Sequence, residues 1–136
     1  MKPRISLSTL AFIFFMISAS MTCAKDYIIY SIVKNIPMGY ENEVQQKNFY
    51  VNIGSKQGVG PGNTLEVYRA ISRIDPYTSK KRYNYSVKIG SLEVLHSEDN
   101  SAIASLKNLN VGEPGSPLFE IESFMIGDKV EVQIDK

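Results

Sequence analysis

Apolar and polar positions alternate with a period of two along most of the chain beyond residue 26. Residues 27–34 are rich in β-branched and aromatic side chains. In 48–53, Phe49, Val51 and Ile53 fall on one face. In 64–71, Leu65, Val67 and Arg69 oppose Glu66, Tyr68 and Ala70. Residues 85–95 carry Val87, Ile89, Leu92 and Val94, and the inward series shifts by one at Gly90-Ser91, which predicts a bulge or bend. Two further segments, 101–106 and 129–134, complete the set. Successive strand side chains point to opposite faces, so this pattern predicts short, half-buried strands punctuated by Gly, Pro and Asn. Only 41–47 could make a helical turn, and it is too polar and short to bury a face. The expected fold class is all-β, a small SH3-like or related β-barrel or sandwich, rather than βαβ units.

The first 24 residues break the pattern. Lys2 and Arg4 precede an uninterrupted apolar run over 10–17, and small or polar residues follow it: Ser18, Ala19, Ser20, Thr22, Cys23, Ala24. Charge, short apolar core and small-residue exit make the order of an export signal. A membrane span needs roughly 18 or more apolar residues, and this run is too short. The expected organisation is a signal peptide over 1–24, cut after Ala24, and a single β-barrel domain over 25–136. The alternative cut precedes Cys23 and leaves a lipid there, although Ser20 and Thr22 make a poor lipid-attachment box. The expected location is therefore periplasmic or secreted, or lipid-anchored under the alternative.

With that segment removed, 13 basic residues face 14 acidic ones, a formal charge of −1. So balanced a field asks for neither nucleic acid nor an anionic membrane. The chain's one cysteine falls inside the signal, so no disulfide framework is expected and the core must hold by packing.

Residues 52–69 are the most distinctive stretch. Gly54, Gly58, Gly60 and Gly62 crowd into nine residues, a density that predicts tight turns with positive φ. Val59 among them is the expected apolar plug, and Pro61-Gly62 suits the centre of a type II turn. A phosphate-binding loop would need Gly-Lys-Ser or Gly-Lys-Thr opening a helix, whereas here Lys56 follows Ser55 and a strand follows the loop. The loop therefore reads as a wide turn between strands.

The run Asn52-x-Gly54-Ser55-x-x-Gly58-Val59, ending in Leu65-x-Val67-Tyr68-Arg69, is followed in order by four further blocks. They are Asp75-Pro76-Tyr77-Thr78, Ile89-Gly90-Ser91-Leu92-Glu93-Val94, Ser101-Ala102-Ile103-Ala104 and Ile126-Gly127-Asp128-Lys129-Val130. Over about 48–132 this order resembles the C-terminal module of the flagellar assembly protein T family, a periplasmic component of the flagellar basal body. The resemblance implies a periplasmic β module that works by binding other proteins. Ser79 stands where that family usually has Gly, Asn63 where it often has Asp, and its larger N-terminal domains have no counterpart in these residues. The same glycine turn occurs in other envelope β modules, including the periplasmic rod-shape protein MreC.

Little here suggests catalysis. His96 is the only histidine, in a His-Ser-Glu-Asp-Asn turn with Glu98 and Asp99, and a metal site wants several converging ligands. No serine has a Gly-x-Ser-x-Gly setting. A non-enzyme without cofactor or metal is expected. The remaining candidate surface is basic and aromatic: Arg69, Arg73, Lys80, Lys81 and Arg82 around Tyr68, Tyr77, Tyr83 and Tyr85. Tyr and Arg are the residues that most often carry interface energy, so this is the candidate docking tip; solvated edge lysines that block strand aggregation are the plain alternative. The expected partners are envelope proteins, those of the flagellar basal body first and peptidoglycan second. A small hydrolase with an unrecognised site is a third, weaker expectation.

Overall fold

The computed structural model describes residues 25–110 and 121–133. The signal-like segment 1–24, with Cys23, lies outside the described residues. Among the described residues six strands form one sheet: β1 (Ile29–Lys34), β2 (Lys47–Val51), β3 (Thr64–Ile74), β4 (Arg82–Ser97), β5 (Ala102–Leu109) and β6 (Lys129–Val132). Their spatial order is β1-β2-β5-β4-β3-β6, and every neighbouring pair is antiparallel. The sheet curls until its outer strands meet at an antiparallel bridge between Ile28 and Lys129. Hydrogen bonds from Ile29 N to Asp128 O (2.9 Å), Gly127 N to Ile29 O (2.8 Å) and Val130 N to Tyr27 O (2.9 Å) draw that seam together. The all-β, barrel-like expectation holds.

Alternation fills the interior. Phe49, Val51, Ile53, Leu65, Val67, Leu92 and Val94 are all buried, with Ala102 and Ala104 facing them from β5. The bend expected near Gly90 is present. Register slips between the Val67 and Tyr68 pairs, where Ile89 is passed over, so Ile89 and Gly90 are buried in succession. Gly90 is required there, since a Cβ would stand 2.8 Å from the Phe124 ring and 2.3 Å from Asn108 O.

Two plugs close the barrel. Val59, 1 % exposed, fills one end from the glycine turn, as its sequence position suggested. Phe124 and Ile121 fill the other, Phe124 lying edge-on to Phe49 at 5.6 Å between centroids. The turn itself corrects one expectation. Gly58 and Gly62 have positive φ (82° and 86°), and Asn63 N donates to Gly60 O at 3.1 Å across Pro61-Gly62. Gly54 and Gly60 do not adopt positive φ. Gly54 is extended (φ −148°) and serves close approach instead: a Cβ there would stand 2.2 Å from Glu98 O and 2.6 Å from Ser101 N. Residues 41–47 form no helix; a single turn at Glu41-Asn42 leads to β2.

Antiparallel order gives the barrel two unlike ends. β1, β3 and β5 run one way and β2, β4 and β6 the other. One end therefore holds the glycine turn, the β4–β5 turn and the segments entering β1 and leaving β6. The other holds the β1–β2 loop, the β3–β4 hairpin and the segment leading into β6.

Candidate functional site: the β3–β4 arm

β6 pairs with β3 only as far as Tyr68, and β5 pairs with β4 no further than Gly90. The six pairs from Arg69↔Val87 to Ile74↔Arg82 therefore project from the barrel as a two-stranded arm. At about 3.3 Å per residue it reaches roughly 17 Å before its turn begins. Among the described residues no third strand pairs with it.

Its turn is built locally. Asp75 Oδ1 accepts from Tyr77 N (2.8 Å) and Thr78 N (3.3 Å). Hydrogen bonds from the Thr78 side chain and the Tyr77 amide hold the Asp75 carboxyl below its ordinary range. Lys81 O accepts from Asp75 N at 2.9 Å, and Lys81 N donates to Thr78 O at 3.0 Å, which closes the turn. Ser79 and Lys80 take left-handed φ of 50° and 54°, a conformation that glycine adopts without strain.

The structure splits the predicted docking residues into two groups. Tyr77, Lys80, Lys81 and Arg82 are exposed in or beside the turn, and Tyr77 is 95 % exposed. Arg73 and Tyr83 pair across the arm just below, with Lys81 Nζ 5.2 Å from the Tyr83 ring centroid, a cation–π contact. Arg69 is elsewhere in both place and role. It sits at the arm's root, donating from Nε to Asp128 Oδ1 (2.8 Å) and from Nη2 to Asp128 Oδ2 (2.7 Å) and Ser123 O (2.8 Å). The Asp128 side chain is 5 % exposed and also accepts from Met125 N at 2.7 Å. Removing one member of a pair so buried costs about 3–5 kcal/mol, because the other charge is stranded. Arg69 thus clamps the segment before β6 onto β3, and the docking surface begins beyond it. Tyr68 is likewise engaged at the root: its hydroxyl donates to Glu66 Oε2 at 2.7 Å, and Glu66 also pairs with Lys88.

Charge gathers on the arm. Residues 69–88, the arm with its root, hold six basic side chains and one acidic, a net +5, where residues 25–136 together sum to −1. Arg69 and Lys88 are met by Asp128 and Glu66, so the unbalanced charge lies towards the tip.

Sequence reasoning missed a second feature at this end. The β1–β2 loop exposes Ile36 (83 %), Met38 (77 %), Tyr40 (76 %) and Val44 (79 %). The apolar period of Ile36, Met38 and Tyr40 was its signal. Beside it an open groove of about 590 Å³ runs between Ile32, Lys34 and the Phe124-Met125-Ile126 segment.

The other candidates stay apart from this end. Gly54, Gly58, Val59, Gly60 and Gly62 form the closing turn at the opposite end. His96 is exposed there, its Nε2 2.9 Å from Glu98 Oε1. Among the described residues no group of three or more His, Cys, Asp or Glu is placed to hold a metal ion, and no helix is long and apolar enough to cross a membrane. No protein-family model and no curated protein matches this chain.

Proposed function

We propose that this protein is an exported, non-enzymatic assembly module of a bacterial envelope machine, the flagellar basal body first, and that it binds other proteins through the β3–β4 arm. The carrying observation is the arm: a projecting, unflanked ribbon with a net charge of +3 beyond Arg69 and Tyr77 95 % exposed at its tip. A buried barrel needs no such extension to fold, since only Ile71 of residues 70–86 packs against the core. Tyr and Arg are the residues enriched where docking surfaces bury energy, and the arm exposes both. The order of sequence blocks shared with the flagellar assembly protein T family supports the basal body, and the signal-like segment 1–24 supports export. The chain enters β1 at the end opposite the arm. A lipid at Cys23 would therefore leave the arm directed away from the membrane.

Cross-linked envelopes carrying tagged protein test this reading. Basal-body or stator proteins should co-purify, and Lys80→Ala/Lys81→Ala/Arg82→Ala should release them and impair motility. Unchanged capture by that variant removes the arm from the mechanism.

Peptidoglycan binding is the second reading, favoured by Tyr77, whose open ring suits stacking on a sugar face. Retention on purified peptidoglycan that Tyr77→Ala abolishes would establish it in place of the first.

A further inference from the structure

Exposed apolar surface on this molecule is concentrated at one end. Of the fourteen large hydrophobic residues exposed among the described residues, ten lie in the β1–β2 loop, the arm or the segment before β6. The loop contributes Ile36, Met38, Tyr40 and Val44, and the arm Ile74, Tyr77, Tyr83 and Tyr85. Met125 and Ile126 lie on the segment before β6. At roughly 150 Å² per fully exposed large side chain, these ten present about 1,000 Å². A standard interface needs about 800 Å² from each partner.

The two projecting elements differ in sign. The arm carries its excess of Lys and Arg, while the loop over 35–46 carries Glu41 and Glu43 and no basic residue. Strand order places them on opposite walls of the barrel mouth, since β5 separates β2 from β4 on one side and β6 separates β1 from β3 on the other. The fold thus holds two complementary elements apart within one chain. A surface bearing both halves of a complementary pair matches a copy of itself turned about a two-fold axis. With a mature charge of −1, long-range repulsion between copies is negligible.

We propose that this end of the barrel pairs with the same end of a second copy, the basic arm of each lying against the acidic, apolar β1–β2 loop of the other. The pairing rests on the reading of the arm as a protein-docking element and names one of its partners.

Light scattering and sedimentation of the purified protein at roughly 10–100 µM test it, a range that detects a micromolar Kd. The expected mass is twice the monomer's. Lys80→Glu/Lys81→Glu should weaken association by at least about tenfold, as like charges are brought together. Glu41→Lys in the same chain should restore it. Glu43 is left intact because its Oε2 accepts from Met38 N at 2.7 Å and shapes the loop. All these positions are exposed, and far-ultraviolet circular dichroism confirms that each variant keeps its sheet. A monomer throughout, a dimer indifferent to the charge reversal, or a loss that Glu41→Lys does not restore overturns the pairing. Monomeric protein that still captures basal-body or stator proteins through Lys80, Lys81 and Arg82 overturns the pairing and leaves the preceding reading standing.

Discussion

Gly54 and Tyr68 show how single positions set local chemistry. Gly54 lies where two turns meet: Ser55 N donates to Glu98 O at 2.8 Å and Lys56 N to Asp99 O at 3.0 Å. The atoms that a Cβ would strike at Gly54 are backbone, which cannot rotate aside. Gly54→Ala should therefore cost about 3 kcal/mol in urea unfolding, the upper range for forcing atoms into a packed site. Gly60→Ala, with nothing within 4 Å of the added carbon and no positive φ, should instead stabilise slightly, by about 0.4–1 kcal/mol. Equal effects would contradict the close-approach account. At Tyr68, the hydrogen bond to Glu66, followed by burial, pushes the phenol up to about 12. The fold favours the neutral phenol, so this contribution is fully present below the unfolded value near 10 and is lost as pH rises through about 12. The tyrosinate absorbance that Tyr68→Phe removes should be one that develops near pH 12, and Glu66→Gln should return it towards 10.0.

At the scale of elements, the strands were legible because burial on one face of a pleated sheet leaves a period of two in the sequence. That period, with β-branched and aromatic composition for β1, located the six strands of the described residues and the slip at Gly90. It was weaker where closure rather than pleat decides burial. Ile121 and Phe124 are core residues outside any strand, and no repeat announces them. The glycine run was legible as a turn, but composition alone could not separate positive φ at Gly58 and Gly62 from close approach at Gly54. Residue type misdirected the reading of Arg69, although its inward place beside Leu65 and Val67 and the Asp128 of the closing block together held the clue. The arm was legible as a basic, aromatic stretch, but not its projection, which depends on where β5 and β6 stop pairing. An arm that adds only Ile71 to the core should be dispensable for folding. Replacing 73–83 by an Asn-Gly turn between Ser72 and Asn84, which pair across the arm, should shift the thermal midpoint by only a few degrees. A collapse of the cooperative transition would mean that the arm is structural.

The whole molecule has a working direction. One end is tied shut by backbone hydrogen bonds between the glycine turn and the β4–β5 turn, with Val59 beneath, and there Lys56 is met by Asp99 at 3.3 Å. The other end gathers the apolar loop, the open groove and the unbalanced charge of the arm. Interfaces form where apolar surface lies exposed and charge is unmet, because a partner can remove the first from water and neutralise the second. A photo-activated cross-linking residue at Tyr77 or Lys81 should therefore capture partners in envelopes, whether a second copy or another protein. The same residue at Lys56 or Asp99, on the closed end, should capture none. All four positions are exposed, so accessibility does not distinguish them. Adducts from the closed end alone would move the binding surface to the glycine turn, and the arm would then be an edge kept charged to prevent strand aggregation.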